Sequence, residues 1–582
     1  MKYQIPKFAA VLAVMVMLLC SCGKTGNQSS EQPEVKQPLV LTAVVGNMPD
    51  TLKPADCAGD GSETILYHLY ENLMRWENDG YGHAVLVPGQ AESYTVETDY
   101  LGNATYTFTL RSDIFWSDGQ AVSAYHFVSA WQRIADPAFQ SPYRELMRCI
   151  AGYDAVQNSG DASLLKVSAT DSRTLIVALS GSAPYFLEEV CASAYTMPIR
   201  TFVSAGEEDK ILTNGPYVVK EFSAEELVLV KNEKYYGSGN VTVDELRFIP
   251  SEGVQADYEK FKSGVVDLTV ALPASELDVR AQEENWRPEP VTSTYGFVFN
   301  TRIAPFDDSL IRTAFRLVID EQAVIDALNN KTLRPAVGLI PYGVSDHGGK
   351  NDTEAASDEA TSEIKPPLVN HNIYRDFRVH GNEIVTLDVS DDYAADCTYA
   401  RTLLAEAGYA DGAGFPQVEY LYIDTPENQA VAQVLQKLWK KELGVTVALR
   451  AVTGEEYEQL LHGDSEGNGE ESVFQIAAME FTAAVYDDAG DFLSQWHSSS
   501  AANCAGYSSA AFDILINCSR VATMASTYDA YLHDAEAILL EDAPVVALFY
   551  RGSGYAVADG LSGLYRAPNG VFFLANVTGR AN

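Results

Sequence analysis

The residue types that most often carry out chemistry are present, but they do not form catalytic patterns. The chain has nine histidines and eight cysteines, and no two histidines lie three to five residues apart, as pairs of metal ligands on a helix require. His-Glu-x-x-His and Gly-x-x-x-x-Gly-Lys, which mark zinc proteases and phosphate-binding loops, do not occur. The sequence therefore predicts a protein that is not an enzyme and that has no cofactor and no bound metal.

The first residues have the features of an export signal. An apolar run over 8–19 follows two lysines; it has the length of a signal-peptide core and is too short to span a hydrocarbon layer of about 30 Å. The run ends in Leu19-Cys-Ser-Cys22, which resembles the bacterial lipobox. We therefore expect a signal peptide over 1–21 and a lipid on Cys22, or an ordinary secretory signal cleaved near Ser21 without a lipid.

The next segment and the overall charge predict a protein tethered outside the membrane. Residues 22–38 are polar, contain proline and serine, and lack an apolar period, as expected for a lipidated flexible tether. The chain carries 40 basic and 80 acidic residues, a net charge of −40, which disfavours binding to nucleic acid and to anionic lipid headgroups. We expect a monomer at the outer face of the plasma membrane or in the periplasm.

The pattern of apolar residues predicts an α/β protein of more than one lobe. A length of 582 residues is several times that of one typical domain. Short β-branched runs alternate with helical patterns and there are no internal repeats, which favours lobes built on mixed sheets. The predicted strands are 39–45, 106–110, 175–179, 227–230, 295–299 and 545–550. The predicted helices are 62–76, 124–134, 310–328, 399–407, 428–443 and 530–540.

Six cysteines lie beyond the leader. They are Cys57, Cys149, Cys191, Cys397, Cys504 and Cys518. Their spacing does not match zinc sites, and they are too sparse for a disulfide scaffold. An even number outside the cell permits one or two bridges, and the sequence leaves the pairing open.

Several blocks occur in the order typical of one known family. They are 106–111 (YTFTLR), 116–119 (WSDG), 124–133 (AYHFVSAWQR), 213–217 (TNGPY), 229–232 (LVKN), 261–264 (FKSG), 403–409 (LLAEAGY) and 439–445 (WKKELGV). In these blocks the chain resembles the oligopeptide-binding proteins of ABC importers, the extracellular solute-binding family that also includes dipeptide, nickel and sugar binders. His126 stands where the family usually has Asp, an exchange that we interpret as local helix capping.

The resemblance implies a two-lobed α/β fold of the type II periplasmic-binding-protein class, with mixed sheets and a small additional subdomain. The first lobe would be built from three separate segments, 39–80, 178–290 and 536–582. The inserted subdomain would comprise 81–177, and the second lobe 291–535, with a surface insertion at 346–364. Hinge closure of the lobes around a ligand suits delivery to a permease.

The resemblance also implies a function, namely capture of peptides and their delivery to an ABC import permease. An extended peptide would pair its backbone with protein strands, and its side chains would enter roomy, hydrated pockets. The alternatives are a peptide or pheromone sensor that does not import, and a binder of nickel chelates or oligosaccharides. A secreted enzyme is disfavoured by the missing motifs.

One segment departs from the family pattern. In the family a Trp-x-x-Asp-Tyr segment supplies the carboxylate that binds the peptide ammonium, and the matching stretch here is 480–488 (EFTAAVYDD). One register places Phe481 at the Trp, and neither plausible register retains the acid. Either Asp487 or Asp488 takes over the role, or the ligand has no free amine, or the site has acquired a signalling or structural role. Glu480 is a further candidate acid, although strand alternation could turn it away from the ligand.

The remaining candidate ligand contacts come from three other segments. The loop Gly59-Asp60-Gly61 occupies the position where the family presents backbone groups to the ligand. Tyr295 and Phe297 lie on a strand that leads into the second lobe, and Tyr143 follows the Asp-Pro block. Packing in the core is an equally good interpretation of each.

Overall fold

The computed structural model describes residues 37–59, 61–78, 84–181, 183–200, 211–280, 289–341, 344, 379–380, 383–384, 393–462, 474–483, 488–522, 524–567 and 570–579. The chain divides into 1–38 and a folded unit, Leu39–Asn582. The predicted signal peptide, Cys22, the tether up to residue 36 and the insertion at 346–364 lie outside the described residues.

Strands are distributed along the whole folded unit. They are β1 Val40–Val45, β2 Met74–Asn78, β3 Ala84–Pro88, β4 Ala91–Thr98, β5 Ala104–Leu110, β6 Val167–Ala169, β7 Thr174–Ala178, β8 Tyr217–Phe222, β9 Leu227–Lys231, β10 Glu245–Pro250, β11 Leu268–Thr269, β12 Glu289–Phe299, β13 Arg334–Pro335, β14 Val379–His380, β15 Glu383–Ile384, β16 Val418–Ile423, β17 Val447–Val452, β18 Ile476–Phe481, β19 Val545–Ser553, β20 Ala556–Val557, β21 Tyr565–Arg566 and β22 Phe572–Phe573.

Helices separate many of these strands. They are α1 Ser62–Leu69, α2 Ala124–Ala135, α3 Tyr153–Ser159, α4 Val254–Lys262, α5 Ala274–Arg280, α6 Ser309–Leu317, α7 Glu321–Leu328, α8 Tyr393–Glu406, α9 Pro426–Leu443, α10 Gly454–His462, α11 Ala489–Ser494, α12 Ala510–Ser519 and α13 Ala525–Asp542. Short 3-10 helices lie at Pro54–Asp56, Arg144–Met147, Ala162–Leu164, Ala194–Thr196, Ser238–Asn240 and Ala410–Gly412, and a π turn lies at Phe186–Val190.

Two six-stranded mixed sheets form the centres of the two lobes. The first has the order β20-β11-β1-β10-β9-β8 and the second the order β13-β19-β12-β18-β16-β17. In the first, β1 is parallel to β10 and β11; in the second, β16 is parallel to β17 and β18. A four-stranded antiparallel sheet, β4-β5-β7-β6, belongs to the small subdomain. The predicted α/β fold with two lobes, mixed sheets and a subdomain is confirmed.

Each lobe has its own buried core. One hydrophobic cluster covers the first sheet and the subdomain, and it joins Leu41 of β1 to Trp131 of α2. The second sheet is covered on both faces. Along β12, Tyr295, Phe297 and Phe299 enter one cluster and Val298 enters the other, because successive side chains of a strand point to opposite faces.

Two predicted boundaries between domains are wrong. β2 pairs with β3, so a division between residues 80 and 81 cuts through a hairpin. β19 pairs with β12 and β13 of the second sheet, so residues 536–553 belong to the second lobe. The chain returns to the first lobe at β20, which pairs with β11. The apolar pattern of β19 shows that it is a buried strand but does not show which sheet it joins.

Two predicted helices are shorter than expected. The helix predicted over 62–76 ends at Leu69, and Tyr70 is extended. The side-chain amide of Asn72 donates to the carbonyl of Ser193 at 2.8 Å, which holds the chain away from the helical path. The helix predicted over 310–328 is two helices, since Asp320 caps a new one by accepting from the N–H of Ala323.

His126 has the capping role inferred from the sequence. Its Nδ1 accepts from the backbone N–H of Ser123 at 3.0 Å, and Ser123 in turn caps the start of α2. The two residues form a capping box in which imidazole replaces the usual carboxylate. Burial, assisted by the charge of Arg200, lowers the pKa of His126 to about 4, so the ring stays neutral and can accept.

His68 fastens the C-terminal segment to α1. Its Nδ1 lies 2.6 Å from the carbonyl of Thr64, and its Nε2 accepts from the backbone N–H of Leu574 at 3.0 Å. This arrangement requires the neutral ring with the proton on Nδ1. Burial lowers the pKa of His68 to about 4.

We expect acid to destabilise the fold through His68. The unfolded chain protonates this ring near pH 6.5 and the folded chain only near 4, so stability is complete above pH 6.5 and falls as the pH is lowered towards 4. The loss is on the order of 3 kcal/mol. Urea titrations at pH 7 and pH 4.5 measure it, and in His68→Gln, which cannot titrate, the difference between the two pH values should shrink. An equal difference in the two proteins would contradict this assignment.

Candidate ligand-binding site

The candidate site is formed by the carboxyl ends of the parallel strands in the two sheets. In open α/β sheets, ligands bind outside the carboxyl ends of the strands. In the first sheet, β1 ends at Val45 and its loop runs to Gly61, where α1 begins. In the second sheet, β16 ends at Ile423 just before α9, and β18 ends at Phe481. These strand ends supply the candidate site.

The loop after β1 requires glycine at its last position. Gly61 has φ +86°, a left-handed conformation, and a Cβ there would lie 2.9 Å from the backbone nitrogen of Gly46 and from the Cβ of Val45. The loop therefore folds back tightly on the end of its own strand. Gly59 also has a positive φ, and Asp60 lies outside the described residues.

Tyr143 packs against this loop, so two of the predicted ligand contacts come together. Its hydroxyl donates to the carbonyl of Cys57 at 2.5 Å. Its ring stacks on Tyr195 with centroids 3.6 Å apart, and the hydroxyl of Tyr195 lies 3.2 Å from Oγ of Ser62. Burial raises the pKa of Tyr143 to about 12, so it stays a neutral phenol. That this surface contacts ligand stays a prediction.

Three acidic and basic side chains form a cluster at the end of the second sheet. The guanidinium of Arg551 donates to both oxygens of Glu480, at 2.7 and 2.9 Å, and to Glu427 at 2.7 Å. Glu480 also accepts from the hydroxyl of Ser293. We call Glu427, Glu480 and Arg551 the edge cluster. With two carboxylates and one guanidinium it carries a formal charge of −1, and all three side chains are partly exposed.

The local fold explains how the edge cluster forms. Glu427 lies in the first turn of α9, directly after β16. Glu480 pairs across the sheet with Tyr295, and Arg551 lies on β19, the other neighbour of β12. The guanidinium stands 5.4 Å from the ring centroid of Tyr295, within the range of a cation–π contact. Burial alone would lower the pKa of Arg551, but its hydrogen bonds to the two carboxylates raise it, so it stays charged.

Three aromatic residues predicted to contact ligand lie in the core instead. Phe297 is fully buried and packs edge-on against Trp439, and Phe481 packs against Trp496. Tyr295 is buried, stacks on Phe549, and donates its hydroxyl to Asn428 at 2.7 Å. Both faces of the second sheet are covered, so the geometry of these side chains favours the alternative interpretation, packing in the core.

Asp488 is also engaged within the protein. Its carboxylate accepts from the backbone N–H of Gly490, which caps α11, and from the hydroxyl of Tyr528. It is 1% exposed, so its predicted role as an anchor for a ligand ammonium is not supported by this geometry. Asp487 lies outside the described residues. Of the acids proposed from the sequence, Glu480 is the one placed at an exposed strand end.

The subdomain and the second lobe meet beside Asp488. Arg148 donates to Asp491 at 2.7 Å, and the Asp491 side chain is 2% exposed. Tyr185 lies in the same region, and the junction contains a cavity of about 460 Å³. Since Tyr143 contacts the first-lobe loop and Arg148 contacts α11, the short segment between them bridges both walls of the site.

The described residues contain neither a membrane-spanning helix nor a metal-binding group. None of their helices is both long enough and apolar enough to cross a bilayer, and no three His, Cys, Asp or Glu side chains among them could hold an ion. The six cysteines beyond the leader are free thiols. The sequence 463–467 matches Gly-x-Ser-x-Gly; it lies outside the described residues and follows helix α10, whereas a nucleophile elbow follows a strand.

Comparison with known proteins identifies the family. Residues 85–504 match the model of bacterial extracellular solute-binding proteins, family 5. The chain belongs to this family. The resemblance drawn from the sequence blocks is thus confirmed.

Curated relatives match over most of their length. The oligopeptide-binding protein OppA of Bacillus subtilis is 24% identical over 97% of both chains. The periplasmic OppA of Escherichia coli is 28% identical over 87% of this chain and 86% of its own.

Solved structures show the same fold. The murein tripeptide-binding protein MppA of Escherichia coli superposes with a TM-score of 0.66 at 23% identity, covering 94% of this chain and 99% of its own. Another MppA structure, described as the unliganded open form, gives a TM-score of 0.72 at 23% identity and covers 93% and 98%.

Sequence reasoning missed several residues of this candidate site. Arg551 and Glu427 were not predicted, although Arg551 follows a predicted strand and Glu427 begins a helix directly after another strand. Charged residues at such strand ends are the signal that could have found them. Arg148 and Tyr195 carry no comparable local pattern, because their partners are distant in sequence.

We expect the Arg148–Asp491 pair to help hold the subdomain against the second lobe. In Asp491→Asn the free energy of unfolding should fall by about 1–2 kcal/mol. This is the usual contribution of a hydrogen bond between charged groups, reduced because Arg148 is partly exposed to solvent. The radius of gyration from small-angle scattering should increase, because the lobes lose a direct contact. Asp154→Asn is the control, since Asp154 lines the same cavity but is exposed. Equal behaviour of the two variants would contradict the expected role.

Proposed function

We propose that this chain is an extracytoplasmic lipoprotein that captures peptides between its lobes and delivers them to an ABC import permease. The observation that carries the proposal is that the strand ends of the two sheets supply different groups, a glycine loop after β1 and the edge cluster in the second sheet. The loop offers backbone groups, and the cluster offers excess negative charge. These are what a peptide backbone and a free ammonium need.

The connection between the lobes supports a closing motion. β19 of the second sheet ends at Ser553 and β20 of the first sheet begins at Ala556, so two residues join the lobes there. Short connections that absorb backbone rotation are typical hinges. A ligand held between the strand ends would stabilise the closed arrangement, which a permease can distinguish from the open one.

A first experiment identifies the ligand directly. The full chain, expressed with its own leader and purified without denaturation, is unfolded in acid, and the released small molecules are analysed by mass spectrometry. We expect peptides with free amino termini. Release of sugars or chelated metal, or an empty protein that no peptide mixture stabilises against heat, would overturn the peptide assignment.

A substitution at the edge cluster tests the ammonium site. In Glu480→Gln, affinity for a released peptide should fall about tenfold, equivalent to about 1.4 kcal/mol, because the cluster loses its excess negative charge. Affinity for the N-acetylated form of that peptide should not change. Glu419→Gln is the control, since Glu419 lies on the same lobe and pairs with Arg450. Equal losses for both forms of the peptide would argue against an ammonium contact.

Anchoring by lipid has its own test. In Cys22→Ser the chain should move from the membrane fraction to the soluble fraction and should no longer incorporate labelled palmitate. Cys20→Ser is the matched control, because Leu19 before Cys20 fits the small-residue position of a lipobox poorly. Retention of the label in Cys22→Ser would exclude Cys22 as the acylated residue.

A further inference from the structure

A second cavity lies in the first lobe and is separate from the cleft between the lobes. Its volume is about 290 Å³, and its lining includes Glu71, Trp76, Arg111, Tyr235 and Tyr236. None of its lining residues comes from the second lobe. Glu71 follows the end of α1 and Gly61 precedes its start, so the helix of eight residues, about 12 Å long, separates the two sites.

A buried carboxyl group organises one wall of this cavity. Glu71 accepts hydrogen bonds from the hydroxyls of Tyr235 and Tyr236, and Arg75 lies 3.8 Å away. Burial raises the pKa of Glu71, and the charge of Arg75 opposes this. Through these hydrogen bonds Glu71 fixes the positions of the two tyrosine rings.

Arg111 supplies the recognition group at the opening. Its guanidinium lies over the ring of Tyr236, 4.4 Å from the centroid, and its Nε donates to Asp113 at 3.3 Å. Its two terminal nitrogens have no partner among the described residues. Two such nitrogens form a planar fork that matches the two oxygens of a carboxylate.

The residues that line the cavity beside Arg111 indicate which class of ligand would fit. Trp76, Tyr235 and Tyr236 provide aromatic walls, which favour a flat ring. The volume is near the lower end of the range of small-molecule sites, about 300–1,000 Å³. Two carboxylates, Glu71 and Glu77, and two guanidiniums, Arg75 and Arg111, line the cavity, so its lining has no net formal charge. More distant charges, beyond about 8–10 Å, are largely screened at physiological salt.

We infer that this cavity binds a small aromatic carboxylic acid, with the carboxylate on Arg111 and the ring against the aromatic walls. The site is independent of the peptide site proposed above. A molecule bound there contacts α1, β2 and the segment after β9, all of which belong to the first lobe and its subdomain.

The test uses two probes that differ in charge. Isothermal titration of the full chain with 4-hydroxybenzoate should give one site with a Kd on the order of 1 mM or below. The neutral analogue 4-hydroxybenzyl alcohol should bind at least tenfold more weakly. No saturable binding of the acid, or equal binding of acid and alcohol, would overturn the inference.

Variants of Arg111 locate the site. Arg111→Gln should weaken binding of 4-hydroxybenzoate at least tenfold, and Arg111→Lys should weaken it less, because charge is kept while the fork is lost. Arg450→Gln is the control, a similarly exposed arginine on the second lobe, and should bind the acid as the unmodified chain does. Arg111 is partly exposed, so a melt close to that of the unmodified chain is expected. Unchanged affinity in Arg111→Gln would overturn the inference.

Discussion

Strand β12 is covered on both faces, and this constraint determines where the second lobe can bind a ligand. Its alternate side chains fill two separate clusters, one against α9 and one against the helices near the C-terminus. Large apolar side chains in such positions stabilise the fold mainly through their burial, and each contributes about 1.5–3 kcal/mol to the free energy of folding when it is fully buried. A residue in the middle of the strand therefore cannot also contact solute. Only the ends of the strands, and the loops that leave them, are open.

In the edge cluster, one guanidinium compensates two carboxylates at the strand ends of the second sheet. A carboxylate pair alone would repel and would be costly to bury, and Arg551 between them removes most of that cost. The aromatic rings of Tyr295 and Phe549 beneath the guanidinium restrict its position. What is left is one excess negative charge at a partly exposed site. A ligand ammonium placed there gains a partner without requiring the protein to break a bond that the core depends on.

The sequence predicted the fold better than the site, for physical reasons. Strand and helix patterns and the ordered blocks depend on local residue types, so the mixed sheets, the subdomain and the capping role of His126 could be predicted. The edge cluster could not, because Glu480 and Arg551 are brought together by their shared neighbour β12. The resemblance pointed to the loop that ends at Gly61 and to Tyr143 separately, but not to their contact, because the two are 86 residues apart in sequence. The sequence could not decide between ligand contact and core packing for Tyr295, Phe297 and Phe481, because aromatic residues that line a cleft and those that fill a core have the same local pattern.

The segment from Tyr143 to Arg148 connects the first-lobe loop with the second lobe. Tyr143 rests on the first-lobe loop and Arg148 on α11, and the 3-10 helix Arg144–Met147 between them leaves little freedom. Five residues thus connect the contact with the first-lobe loop to the junction with the second lobe. The junction combines this ion pair and its cavity with Tyr185, which packs against the hydrophobic clusters of both lobes. Partly polar contacts of this kind are typical of domains that move relative to one another.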